Sequence, residues 1–80
     1  MADHFRTMAI FAKVAQTGSF RATASEFDLT PQAVGRLVAS LERQLGMALL
    51  DRSGGTLTLT DIGRRFAAAA QEMAAMIDKN

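Results

Sequence analysis

The 80-residue chain has no cysteine, which excludes a disulfide framework and any thiolate metal site but leaves the compartment open. It has no tryptophan and no tyrosine, so five phenylalanines are its only aromatics. The single histidine, His4, falls in the first turn of the first expected helix. No second His, no Cys and no nearby carboxylate pair stands at ligand spacing from it. His4 is therefore read as a solvated residue, and neither a metal nor any cofactor is expected. With serines merely scattered, the chain also lacks a nucleophile-and-base constellation and is not expected to be an enzyme. No apolar run approaches the ~18 residues of a membrane span, so no membrane partner is expected. The start, Met-Ala-Asp-His, has no basic stretch ahead of an apolar run, so no signal peptide is expected. An excess of one charge is missing too: nine Lys and Arg against eight Asp and Glu give a net charge of +1. A sequence pI near 8.4 is a weak footprint for a nucleic-acid binder, for which a domain value above about 9 is the usual hint. The placement of cations matters here more than their total.

What is present suffices for one small core, since 49% of the residues are hydrophobic. A chain this short buries only about 60% of its unfolded surface, so its stability margin is thin unless it pairs with something. Asp3 is placed to cap a first helix running to about Thr17, where Gly18 stops it. Phe5, Met8, Phe11, Ala12, Val14 and Ala15 give that helix a broad buried face, with Lys13 and Gln16 outside. Ser19 caps a short second helix, about Phe20 to Phe27, on which Phe20, Ala24 and Phe27 share a face. Ala22, Thr23, Ala24 and Ser25 keep it slim enough for another helix to cross closely. Asp28 and Leu29 form the turn, with Leu29 plugging the core.

Thr30 to Gly46 is the most informative stretch. Thr30 is an N-cap, and Pro31 occupies the first helical position, where a missing N–H costs nothing. Gly46 stands where a helix C-terminus wants a left-handed residue. Val34, Leu37, Val38, Leu41 and Leu45 recur at helical spacing as one apolar stripe. Gln32, Arg36, Ala39 and Arg43 fall on the opposite face, with Gly35 and Ser40 at its margins. That face suits a DNA major groove: Gln can pair with adenine, Arg with guanine, and Gly lets backbone come close. A recognition helix reads bases with its N-terminal residues, which is where Gln32, Gly35 and Arg36 sit. Many solvated helix faces also carry Gln and Arg, so the rest of the chain has to support this reading. Two helices joined by so short a turn form a helix-turn-helix.

After Gly46 the period changes. Residues 48–53 read as a short strand, and Thr56-Leu57-Thr58-Leu59-Thr60 alternates as a half-buried one. Gly54-Gly55 between them supplies the positive φ of a tight hairpin. A hairpin is not stable alone, but Leu57 and Leu59 can pack it on the helices as a wing. Thr60 as N-cap and Asp61 in the first turn open a last helix reaching about Asp78. Ile62, Phe66, Ala69, Met73 and Met76 step along it as a heptad-type seam of about two heptads. Ile62 and Phe66 are expected to pack back on the chain's own core. Met73, Met76 and Ile77 project further and lack a partner within so short a chain.

With this order of elements established, the chain resembles the N-terminal DNA-binding region of LysR-type transcriptional regulators. The resemblance rests on Phe11 with Val14-Ala15, then Gly18-Ser19-Phe20, Ala24, Phe27, Thr30-Pro31-Gln32-Ala33-Val34 and Arg36. It continues through Leu41-Glu42, Leu45-Gly46, Leu49, Arg52, Leu59-Thr60 and Gly63. It is collinear, without gaps, across nearly all of the chain. The resemblance implies a mainly α, winged helix-turn-helix fold with a two-stranded β wing and a C-terminal linker helix. Residues 1–59 would be the DNA-binding domain and 60–80 the linker or dimerisation helix. Thr30, Pro31, Gln32 and Arg36 inherit DNA contact, and Arg52 inherits an approach to the minor groove. With Gly35, Arg43 and Ser53 they make up the expected DNA-binding set. Ile62, Phe66, Ala69, Met73, Met76 and Ile77 make up the expected homodimer seam, for which the resemblance favours antiparallel pairing.

The resemblance also implies a cytoplasmic, nucleoid-associated protein. A small-molecule effector would act only through a sensing domain that this chain lacks, so the chain is read as a fragment ending with the linker helix. Three positions depart from the family pattern. Gly35 replaces a hydroxyl residue, Leu50 replaces a common Phe, and the wing 53–58 lacks the basic residues many members carry. The expected partner is double-stranded DNA, bound sequence-specifically for transcription regulation. The alternative, drawn from the near-neutral charge and the bare wing, is a winged-helix module for protein–protein contact.

Overall fold

Four helices and one hairpin follow each other as α1 (His4–Thr17), α2 (Phe20–Phe27), α3 (Pro31–Leu45), β1 (Leu50–Asp51), β2 (Thr58–Leu59) and α4 (Asp61–Asp78). They are seen in a computed structural model that describes residues 4–78. The expected Asp3 cap lies outside the described residues, as do the side chains of His4 and Ile77. The element order is that of a winged helix-turn-helix, as the sequence implied.

Each helix boundary has a local chemical cause. Gly18 ends α1 at φ +69° and donates its N–H to the Val14 carbonyl at 2.8 Å. The Ser19 hydroxyl accepts the Ala22 N–H at 3.1 Å and starts α2. Asp28, at φ 59° and ψ 41°, ends α2 in the left-handed region, which Asp tolerates better than most residues. The Thr60 hydroxyl accepts the Gly63 N–H at 3.0 Å and starts α4.

Ile10, Phe11 and Val14 of α1, Ala24 of α2, and Val34, Val38 and Leu41 of α3 meet Leu49, Leu50 and Ala67 in one core. Two expectations, one for α1 and one for α2, are corrected. Phe5 is 57% exposed, and Ile10 is buried in its place. At about 100° per residue, Phe5 lies half a turn from the arc centred on Ile10, Phe11 and Val14. Thr23, read as a slim spacer, is fully buried, and its hydroxyl donates to the Ser19 carbonyl at 2.9 Å. Burial without that bond would be destabilising.

The wing also departs from expectation. Its antiparallel ladder is only Leu50 opposite Leu59 and Asp51 opposite Thr58. The connection runs through 52–57 instead of a two-residue Gly54-Gly55 turn, and of that pair only Gly55 has positive φ, at +77°. A carboxylate stands at each end of this short ladder. Glu42 Oε2 accepts the N–H groups of Leu49 and Leu50 at 2.8 and 3.1 Å. Asp51 Oδ1 accepts the Ser53 N–H and hydroxyl at 2.9 and 2.7 Å and turns the chain out of the strand.

Helix α4 packs along α1 with Ala67 and Ala70 buried, while buried Gly63 lies against the Leu49 backbone. Ile62, expected to face the core beside Phe66, is 37% exposed. Gly63 is set against the Leu49 backbone, and Ala67 and Ala70 follow it on the inner face, which leaves Ile62 outward. Phe66 does face the core, with its ring 5.7 Å from that of Phe11 in an edge-to-face arrangement.

Candidate nucleic-acid interface

The turn between α2 and α3 sets the aim of α3. The Leu29 N–H donates to the Ala24 carbonyl at 2.9 Å, so the chain leaves α2 abruptly and enters α3 at Thr30. Thr30 is extended, at φ −87° and ψ 156°, and its hydroxyl accepts the Ala33 N–H at 3.1 Å. Pro31 follows at the first helical position, where its fixed φ suits the helix. The uncapped N–H groups of this first turn and the helix dipole favour a nearby anion. At the other end Gly46, at φ +69°, donates to the Glu42 carbonyl at 2.8 Å.

Between these caps the two faces separate as the spacing required. Val34, Val38 and Leu41 are buried, while Thr30, Gln32, Arg36 and Arg43 are exposed. Pro31, Gly35 and Ala39 are half-buried. Among the described residues no carboxylate pairs with Arg36, Arg43 or Arg52; the ion pairs are Lys13 with Glu26 and Arg64 with Asp61. These three guanidiniums remain available to an external anion. Arg64 also donates to the Leu59 carbonyl at 3.2 Å, so it is tied to the base of the wing.

Gly35 does not face open solvent. A Cβ built on it would stand 3.4 Å from Phe20 Cε2, so the Phe20 ring lies against the helix at this point. The guanidinium carbon of Arg52 lies 5.4 Å from the centroid of the same ring, within the range of a cation–π contact. Phe20 thus brings the first turns of α3 and the wing arginine to one side of the molecule.

Ser53, next to Arg52, has its hydroxyl proton engaged by Asp51. The Ser53 backbone N–H, and then its hydroxyl, hold the Asp51 carboxyl below its ordinary pKa. With Asp51 ionised beside Arg52, the wing carries little net charge.

Along α4 the expected seam divides. Phe66 is half-buried against Phe11, and Met73 is half-buried as well. Ile62 and Ala69 are exposed, and Met76 is 70% exposed. These residues form an apolar stripe beside the face that packs on α1.

Three residues matter to this arrangement in ways the sequence reading missed. Glu42 clamps α3 to the start of the wing, Phe20 joins α3 to Arg52, and Gly63 admits the Leu49 backbone. Glu42, Phe20 and Gly63 all belong to the motifs that carry the resemblance, which is a signal without a mechanism. Among the described residues there is no group of three or more His, Cys, Asp or Glu able to hold a metal. No described helix is long and apolar enough to cross a membrane.

Comparison with known proteins accords with this geometry. A relative from Klebsiella pneumoniae, the probable HTH-type transcriptional regulator LtrA, is 41% identical over 66 residues, covering 82% of this chain and 21% of that protein. Among solved structures, the DNA-binding domain of BenM in complex with catB site 1 DNA superposes with a TM-score of 0.86 at 25% identity, covering 94% of this chain and 83% of that one. The DNA complex of the CbnR DNA-binding domain superposes with a TM-score of 0.82 at 29% identity, covering 94% of this chain and 86% of that one. The chain spans about a fifth to a quarter of the length of the curated relatives it matches. The family model for bacterial regulatory helix-turn-helix proteins of the lysR family matches residues 5–64. The chain therefore belongs to the LysR family of bacterial regulatory helix-turn-helix proteins.

Proposed function

We infer that this chain binds double-stranded DNA sequence-specifically in transcription regulation, with α3 in the major groove and the wing at the minor groove. One observation carries the reading: Gln32 and Arg36 are exposed in the first turns of α3, the Phe20 ring beside Gly35 also lies against Arg52, and none of the described carboxylates pairs with either arginine. Gln and Arg carry the side-chain amide and guanidinium that pair bidentately with adenine and guanine edges. The BenM and CbnR domains similar to this chain were solved on DNA, which supports the same use here. Thr30 and Pro31 bring backbone to the phosphates, Arg43 adds a backbone contact, and Gly35 permits close approach. Ser53 contributes through its position beside Arg52.

Residues 1–59 form the DNA-binding unit in this reading, and 60–80 form the linker helix. The stripe of exposed Ile62, Ala69 and Met76 with half-buried Met73 supplies a homodimer seam, with Phe66 at its edge; Ile77, also expected in it, lies outside the described side chains. Such a stripe on a monomer usually marks an interface. A symmetric dimer presents two copies of α3 to half-sites about one DNA turn apart or a multiple of it. The chain acts by binding, not by catalysis, and works in the cytoplasm on chromosomal DNA.

The test is fluorescence anisotropy at several salt concentrations, using duplexes selected from a random pool. Exposed Arg36, Arg43 and Arg52 are joined as plausible cationic contacts by one arginine of α4, Arg65, since Arg64 is tied to Asp61 and Leu59. Counted twice for a dimer, they predict a slope of log affinity against log salt near −7. Arg36→Ala should weaken binding by roughly 1–3 kcal/mol and relax sequence preference at one position. A flat salt response would refute the DNA reading.

A further inference from the structure

The ladder of the wing ends at Asp51 and Thr58, so no strand pairing holds Arg52. Its main chain is tied only locally: the Gly55 N–H donates to the Arg52 carbonyl at 3.1 Å, and the Thr58 hydroxyl donates to the Asp51 carbonyl at 3.3 Å. The neighbouring carboxylate, Asp51, is taken by Ser53 and does not pair with its side chain. What lies against the guanidinium is the ring of Phe20, 5.4 Å away at its centroid. The wing loop and the start of α2 enclose a groove of about 350 Å³ here, lined by Ser19, Phe20, Arg52, Thr56 and Leu57 among others. The same ring reaches Gly35 on its Cε2 and Cδ2 edge. One side chain on α2 therefore touches both the recognition helix and the wing arginine.

We propose that Phe20 is a positioning residue of the DNA interface, holding the Arg52 guanidinium at a fixed offset from α3 so that minor-groove and major-groove contacts are made in register. This role rests on the DNA-binding reading above. An arginine lying over an aromatic face keeps its five N–H donors in its own plane, available to phosphate or base acceptors. Restricting such a side chain before binding removes part of the ordering cost that binding otherwise carries. Phe20 is half-buried and has no polar atom, so it contacts no base edge through hydrogen bonds; it acts through Arg52.

The experiment is a double-mutant cycle in the full chain, with Phe20→Leu, Arg52→Ala and the pair, measured by anisotropy on a duplex selected from a random pool with the wild-type protein. An exposed cation–π contact corresponds to about two- to five-fold in affinity per protomer, compounded in a dimer. Phe20→Leu should weaken binding by that factor in the wild-type background and leave Arg52→Ala unchanged, and Phe20→Tyr, which keeps the ring, should restore binding. In the DNA-free protein the Arg52 side-chain N–H resonance should carry an upfield ring-current shift, lost in Phe20→Leu and kept in Phe20→Tyr. Equal losses in both backgrounds, no loss at all, or no ring-current shift would each overturn the role of Phe20 alone. A wild-type chain that enriches no duplex from the pool would overturn the DNA reading, and this role with it.

Discussion

Replacing Gly63 by alanine should destabilise the fold, although helix propensity alone favours the change. An interior Gly→Ala exchange ordinarily stabilises a helix by about 0.8–1 kcal/mol. At Gly63 the new methyl would overlap the Leu49 carbonyl oxygen and lie 3.0 Å from its carbon and 3.3 Å from its Cα. The obstacle is backbone, and that backbone is pinned from both sides. The Leu49 N–H is held by Glu42 at 2.8 Å, and its carbonyl accepts the Thr60 N–H at 3.0 Å. Relief requires either breaking the bond to Thr60 or lifting α4, with Ala67 and Ala70, off α1. A lost bond that strands a buried polar group costs about 1–3 kcal/mol, and overpacking strain adds about 1–3 kcal/mol. After the propensity gain, the net loss should be about 1–5 kcal/mol. A domain of this size loses roughly 4–8 °C of Tm per kcal/mol, so the change should be plain in a thermal melt followed by far-UV circular dichroism. Urea titration would supply the free energy and test whether the transition stays two-state. An alanine variant as stable as the parent would refute the argument that close backbone approach requires Gly63.

The proposed dimer is tested by Met73→Glu, which puts a charge in the α4 seam and should shift the chain towards monomer in sedimentation equilibrium while each domain stays folded. A parent chain that is monomeric at high micromolar concentration would remove the basis for that seam. Gly35→Ser should raise stability by a few tenths of a kcal/mol, since Ser lies roughly midway between Gly and Ala in propensity and its Cβ meets Phe20 at an ordinary 3.4 Å; a drop in urea midpoint would mean the Phe20 ring cannot accommodate it. The Asp51 carboxyl is held below its ordinary pKa by Ser53. The hydrogen bonds that turn the wing at Asp51 should thus be intact above the unfolded value of about 3.9 and fade as pH falls through the lower folded value. The Ser53 amide proton shift, followed by NMR, should titrate with a midpoint under that figure, and a midpoint above it would refute the assignment.

Sequence reading succeeded where structure is decided within one turn of chain. Ser19, Thr30 and Thr60 cap the helices as their hydroxyls and spacing predicted, and Gly18 and Gly46 end them in the left-handed region. The apolar stripe of α3 was legible because Val34, Val38 and Leu41 repeat at the helical period. Reading failed where a distant group intervened. The strand assigned to 48–53 begins only at Leu50, because Glu42, on another element, takes the Leu49 amide that would have extended the ladder. Ile62 outweighs any alanine in hydrophobic periodicity, yet Ala67 and Ala70 face the core beside Phe66, because Gly63 seats the start of α4 against the Leu49 backbone. Of the candidate site, the types of residue on α3 could be read from spacing. The contact between Phe20 and Arg52 could not, since it joins α2 to the wing loop across 32 positions of sequence.

The seating of α4 bears on how a signal would reach DNA. Gly63, Ala67 and Ala70 sink the first half of that helix into the core, and Glu42 fastens the wing to α3. Among the described residues α4, the proposed linker helix, is thus packed directly onto the rest of the domain, the proposed reading head. In the proposed dimer, a change in the crossing angle of the two linker helices would swing each reading head as a rigid arm, altering the separation of the two α3 helices without loosening either one. Regulation of such a molecule would then work by geometry, with the spacing between half-sites as the quantity adjusted and each half-site's own contacts left intact.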